Sequence, residues 1–270
     1  MYSEADLELF ARFVIVLACV QLIYSAGLLT ACWIQRMPVT RIEVFNFGPR
    51  IARWSFGGIE IVVGTIPLNV SVTIEGMSPD EAHLLHGFSQ RSRLGRASIW
   101  ISSVLAILVV GMMICGIPVG VPRFWSSMGQ VLSGACAPLS LGKGCVLRYF
   151  NLLERGSLMA SIGALCITYA ALCLSPLPMQ NLFRAVIELL STGKKNERLM
   201  GWVGVWSVLI TILFWEAWFV ALTAASLERV LGNKPNVWLV SAIVVGVSAL
   251  AMFGQKGREK AESGTGQSSG

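Results

Sequence analysis

Charge is scarce in this chain. Only 13% of its 270 residues are Asp, Glu, Lys or Arg, about half the share of an ordinary soluble domain. A further 54% are hydrophobic, more than one core of this length can hide. A water-facing globular fold is thereby excluded, and lipid becomes the solvent for most of the surface. Histidine is scarcer still, with only His83 and His86 in the whole sequence. No CxxC occurs among the seven cysteines, which removes the commonest zinc and thiol-redox spacings. Cys19, Cys32, Cys115, Cys166 and Cys173 fall in apolar windows, where a free thiol is a small hydrophobic filler. Cys136 and Cys145 lie between windows, and spacing alone leaves their pairing open.

What is present is apolar length. Charge-free windows run over 13–35, 97–122, 156–183, 199–215 and 235–255. Each reaches or approaches the roughly 20 residues that carry a helix across a hydrocarbon core. The mean hydropathy is +0.67. The fold class expected is an all-α polytopic membrane protein with five transmembrane helices. Basic residues sit between the windows. Segments 36–96, 184–198 and the C-terminal tail together hold 14 of the 21 lysines and arginines. The positive-inside bias therefore places those segments in the cytoplasm and the N-terminus outside, in an inner (cytoplasmic) bacterial membrane. The net charge of +6 is explained by loop placement, so no nucleic-acid partner is inferred. The leading segment MYSEADLELFAR is net acidic, unlike the positive n-region of a signal peptide. The chain is expected to be a single integral membrane domain over 1–255, with a disordered polar tail at 256–270.

One stretch has a different period. Residues 56–77 are rich in β-branched residues and glycine. From 69 to 75 polar Asn69, Ser71, Thr73 and Glu75 alternate strictly with Val70, Val72 and Ile74, the pattern of a half-buried strand. The spacing predicts a membrane-associated hairpin of strands 59–63 and 69–75 after the first span, its edges covered by helices. Pro118 and Pro122 are expected to close the second span. Residues 123–155 form a partly amphipathic connector too short for a folded domain. Ser175-Pro176-Leu177-Pro178 is expected to stop or kink the third span.

Four segments, in order, resemble the site-2 proteases, a family of intramembrane zinc metalloproteases. Residues 39–49, VTRIEVFNFGP, resemble the stretch after that family's zinc helix. Gly57-Gly58-Ile59-Glu60 and Ile66-Pro67-Leu68-Asn69-Val70 resemble its β-hairpin. Phe88-Ser89-Gln90-Arg91-Ser92 with Arg96 resembles the approach to its next helix. Pro176-Leu177-Pro178-Met179-Gln180-Asn181, followed by Arg184-Ala185-Val186-Ile187-Glu188, resembles its PIPxLDGGR segment. The likeness covers residues 14–200, leaving extra helices at 199–225 and 235–255.

The resemblance implies a zinc helix bearing HExxH, with two His as ligands and Glu as general base. Counting back from Pro38, that motif falls on Ala26-Gly27-Leu28-Leu29-Thr30, and no residue of 13–35 is His, Glu or Asp. The family's third ligand, an Asp, falls on Asn181, and its following glycines on Leu182 and Phe183. A small turn of the next helix becomes Ser102-Ser103-Val104. The expectation is a pseudoprotease with degenerate positions Ala26, Gly27, Thr30 and Asn181 and the family's zinc lost. Its hairpin residues Asn69, Val70, Ser71 and Val72 would bind an extended segment of a membrane-protein client. Gln21, Tyr24, Ser25, Thr30 and Asn181 would form a polar seam between the first and third spans.

Two other readings stay open. An active peptidase with an atypical site would recruit His83 and His86, with Asp80 and Glu81 nearby. A small transport component would use Glu216, an ionisable residue in an apolar stretch among tryptophans. Gly116 and Gly120 fit a GxxxG spacing with Pro118 between them. Metal analysis of the purified chain separates the first two. Substoichiometric zinc is expected, and stoichiometric zinc lost on His83→Ala would overturn the pseudoprotease reading.

Overall fold

A computed structural model of the protein describes residues 4–66, 70–75, 88–177, 180–190, 197–231, 240 and 243. The chain forms two compact units: 1–131 with 149–211, and 132–148 with 212–270. Among the described residues three helical stretches are long and apolar enough to cross a bilayer: Leu7–Ile34, Arg93–Cys115 and Val205–Leu231. That is fewer than the five expected: the third window is split, and the fifth falls almost wholly outside the described residues.

The first unit opens with α1 (Glu4–Ile34). Near its start Arg12 pairs with Glu8 at 2.9 Å and donates to the carbonyls of Leu153 and Gly156. Its end is a Schellman motif. The Met37 amide donates to Cys32 O at 2.8 Å and the Arg36 amide to Trp33 O at 3.0 Å. Arg36 takes the left-handed position with φ 52, where glycine is usual. A side chain in that conformation costs about 1 kcal/mol.

The chain then becomes strand, and here the hairpin expectation is corrected. Strands β2 (Ile59–Ile66) and β3 (Val70–Ile74) do not pair with each other; both pair with β1 (Val39–Phe56). The second half of β1 runs antiparallel to β2, from Phe56 opposite Ile59 to Arg50 opposite Gly64. Gly57 and Gly58 link them with φ of 59° and 82°, two left-handed residues that only a glycine pair adopts cheaply. The first half runs along β2's other side, with Arg41 opposite Glu60 and Val44 opposite Val63. Phe45, with φ 58, lies between the halves. β3 pairs antiparallel with the first half, from Val44 opposite Val70 to Val39 opposite Ile74. The pairing thus makes four strand segments from three strands. Alone, 39–49 lacks the strict alternation that marks a strand, so its part as the partner of both neighbours was not legible.

The alternation predicted for β3 holds, with Val70 and Ile74 buried and Thr73 exposed. Carried across the register, it gives the sheet two faces. One carries ion pairs of Arg41 with Glu43 and Glu60 and of Arg53 with Glu60, and Ser71 donates to Glu43 at 3.3 Å. The other is apolar. There Ile74 is buried with Ala31, Cys32, Met37, Phe88 and Ile99, and Val72 packs against them.

α2 (Arg93–Cys115) starts at the N-cap Ser92, and small residues let its neighbours close on it. A Cβ on Gly27 of α1 would lie 2.5 Å from Ala106 Cβ. On the other side α5 (Leu158–Cys173) meets α2 through Gly163, where a Cβ would come within 2.6 Å of Ile114 and 2.9 Å of Cys115. This is the close-contact packing that joins helices lacking a hydrophobic drive between them.

The prolines act differently from expectation. α2 stops at Cys115, Gly116 has φ 76, and α3 (Ile117–Cys136) begins at once. Pro118 stands in its first turn, where no amide donor is needed. Pro122 follows one turn later, so these prolines sit in a new helix. Gly120 packs inward, since a Cβ there would meet Met112 Sδ at 2.3 Å; that side of the GxxxG spacing is taken within the chain. The connector is helical, comprising the rest of α3, a π-helical turn Pro138–Gly142 and α4 (Lys143–Arg155). The third window is split. α5 ends at Cys173, Leu174–Pro176 turn away, and α6 (Asn181–Leu190) restarts the helix. The fifth window lies outside the described residues apart from Val240 and Ile243.

In the second unit, α7 (Glu197–Leu231) supplies residues from Ile212 onward. Gly134 accepts the Trp218 ring and Gly142 the Ala221 methyl, and Lys143 pairs with Glu228. All seven cysteines are free, Cys136 and Cys145 included.

The α1–α2 contact is checkable by paired glycine variants. Gly27→Val is expected to lower stability by about 1–3 kcal/mol through overpacking. Gly129→Ala, in open space on α3, should leave stability unchanged or raise it by up to about 1 kcal/mol. Thermal unfolding of both in one detergent reads the difference.

Candidate functional site

α6 is ten residues long and has three polar side chains, Asn181, Arg184 and Glu188. Their spacing of three and four puts them on one side of the helix, and that side faces α2. Glu188 pairs with Arg96 at 2.6 Å. The Arg184 guanidinium lies 4.8 Å above the Trp100 ring, a cation–π contact. Val186, Leu189 and Leu190 are exposed on the opposite side. A polar stripe turned inward and an apolar stripe outward is the reverse of a water-soluble surface helix.

Asn181 makes the central contact. Its Nδ2 donates to Tyr24 Oη at 2.7 Å, to the Trp100 carbonyl at 2.7 Å and to Ser103 Oγ at 3.3 Å. One amide group thus ties α6 to α1 and α2. Asn181 is 8% exposed and Ser103 fully buried. Tyr24 is further held edge-on by Tyr169 of α5, with ring centroids 5.9 Å apart. Around them Gln21 and Ser25 are buried, and Ser25 Oγ donates to Gln21 O at 2.9 Å.

This cluster is specific for an amide. The Trp100 carbonyl can only accept, so the atom facing it has to be a donor. A carboxylate at 181 would set an anionic oxygen against that carbonyl oxygen. The contacts make a hydrogen-bonded junction among α1, α2 and α6. Among the described residues no three His, Cys, Asp or Glu side chains come together where they could hold a metal ion.

The sequence-predicted residues divide. Asn181 and Tyr24 meet as expected of the polar seam, and Gln21 and Ser25 are buried beside them. Gly27 faces α2, where a Cβ would come within 3.0 Å of Ser103 Cα. Ala26 and Thr30 do not converge with Asn181; both are exposed on the outer face of α1, and Thr30 Oγ1 bonds back to Ala26 O at 2.7 Å. The α1 residue that reaches Asn181 lies two positions before the one counted back from Pro38, which on a helix is the opposite face. Val70, Ser71 and Val72 lie on β3, the outermost strand of the sheet. Asn69, His83 and His86 lie outside the described residues. Glu216 is partly buried near the middle of the apolar stretch Val205–Leu231. Sequence reasoning missed the Trp100 carbonyl and the joint role of Arg184 and Glu188. The signal available was the three-residue polar stripe in an otherwise apolar decapeptide.

No protein-family model matches this chain, and no curated protein matches it.

Asn181→Asp tests whether the junction is built for an amide. A loss of about 1–3 kcal/mol is expected at neutral pH, from the lost donor and the repulsion by Trp100 O, read as a lower unfolding midpoint in detergent. An unshifted midpoint would mean that the junction tolerates a carboxylate.

Proposed function

We propose that this chain is a non-catalytic, site-2-protease-like membrane protein that binds and regulates a membrane-protein client. The observation that supports this most is the Asn181 junction. At the position where the resemblance calls for a ligand carboxylate, an amide donates to Tyr24, Ser103 and a backbone carbonyl. Of the positions counted back from Pro38, Gly27 faces α2 while Ala26 and Thr30 lie on the outer face; the residues one turn apart on the inward face of α1 are Tyr24 and Leu28. A phenol and an aliphatic side chain supply neither a general base nor a zinc ligand set. On this reading the scaffold is kept for binding.

The sheet supports the binding half. β3 is the edge of the described sheet, and an edge strand offers the backbone groups of its outer side, here those of Val70, Ser71 and Val72, for pairing. An extended client segment pairing there gains main-chain hydrogen bonds while its alternate side chains meet the apolar and ion-paired faces. Membrane insertion is supported by the three long apolar helices. The orientation proposed is N-terminus outside and C-terminus in the cytoplasm, in a bacterial inner membrane.

The test is site-specific photocrosslinking in native membranes. A crosslinker at Ser71 is expected to give a discrete membrane-protein adduct, and one at Thr30, on the outer face of α1, is not. The same adducts from both sites, or chelator-sensitive cleavage of a model transmembrane substrate, would sink the proposal.

A further inference from the structure

We infer that the C-terminal end of α1 carries a binding site for the headgroup of an anionic phospholipid. An open depression of about 480 Å³ lies there, lined among the described residues by Trp33, Ile34, Arg36 and Met37. Trp33 and Ile34 stand on the outer face of the helix, 80% and 69% exposed. An indole beside an arginine at the end of an apolar helix is the pairing that settles at headgroup level in a bilayer. The inference rests on the apolar helices and is independent of the client-binding proposal.

Arg36 is the residue that points to a ligand. It occupies the left-handed position of the Schellman motif, with φ 52, where glycine would end the helix without a Cβ penalty. Inside the chain its contribution is a backbone one, its carbonyl accepting from Arg91 Nη2 at 3.0 Å. Among the described residues its guanidinium has no hydrogen-bond or ion-pair partner, and the side chain is exposed at the depression. An arginine held in a conformation that favours glycine, with its charge unpaired among the described residues, is suited to hold an external anion.

The surroundings set that partner's sign and shape. Gln35 Nε2 donates to Gly95 O at 3.1 Å and Ser98 Oγ at 2.7 Å, which brings the start of α2, with Arg91 and exposed Arg93, to the same end of the helix pair. Every basic residue from 36 to 96 is arginine and none is lysine. The guanidinium fork matches two phosphate oxygens at once, which a lysine ammonium cannot do. The lining favours a lipid over free phosphate, because Trp33, Ile34 and Met37 offer apolar surface to a glycerol and acyl chain and nothing to an inorganic ion.

The full-length chain, purified in mild detergent, would be offered phosphatidylglycerol or phosphatidylcholine and examined by native mass spectrometry. Preferential retention of phosphatidylglycerol is expected. Arg36→Gly should reduce that retention roughly fivefold with an unchanged or higher unfolding temperature, because glycine suits the backbone there. If Arg36→Gly unfolds earlier, Trp33→Ala on the outer face replaces it, with a reduced preference again expected. Equal retention of the two lipids, or undiminished preference in the variant read, overturns the proposal. So does displacement of the lipid by soluble glycerol phosphate at matching concentration, which would make the site one for a free anion.

Discussion

A polar group withdrawn from water has to find partners within the fold, and in this chain that constraint converges on one amide. The NH2 of Asn181 is shared among Tyr24, Ser103 and the Trp100 carbonyl. If it were unmet, the cost would be about 1–3 kcal/mol for each stranded group. Met in this way, it fixes where α6 begins and which side of α6 faces α2. Arg184 and Glu188 then fall on Trp100 and Arg96 without further adjustment. The glycine contacts serve the same end. Gly27 lets α1 come close enough for Tyr24 to reach across, and Gly163 does the same for α5. Close backbones and one shared amide hold the first unit at the level of the junction.

The parts of this that the sequence displays are those written in composition and period. Apolar length marked α1, α2 and α7, and the alternation at 70–74 marked β3 and its buried side. Pro176 and its neighbours marked the break between α5 and α6. Asn181 and Tyr24 could be named as seam residues because polar groups in apolar windows have few places to go. What stayed hidden depends on partners distant in the chain. The strand character of 39–56 comes from pairing with both β2 and β3. The division after Cys115 turns on Gly116 adopting φ 76, which leaves Pro118 at a helix start. The face of α1 that meets Asn181 is decided by packing on α2, and a count back from Pro38 over a non-helical turn does not preserve it.

The sheet combines two environments in a very small structure. On its charged face Arg41 pairs with Glu43 and Glu60, and Arg53 with Glu60. Its apolar face continues the helical core through Ile74 and Val72. Farther along, Trp54 is 48% and Phe56 75% exposed, so the far end of the sheet offers large apolar side chains beside arginines. A segment of this kind suits the boundary between water and hydrocarbon, where each face meets its own solvent.

The capping of α4 by Arg12 has a consequence in time. The carbonyls that Arg12 reaches belong to Leu153 and Gly156, up to 144 residues later in the chain. At about 5–20 residues per second they emerge from the ribosome roughly 7–30 s after Arg12 does. During that interval the ion-pair partner of the arginine is Glu8, on its own helix. The clamp between the beginning and the middle of the chain therefore joins α1 to a segment made long after it, and before α5, α6 and α7 have been synthesised.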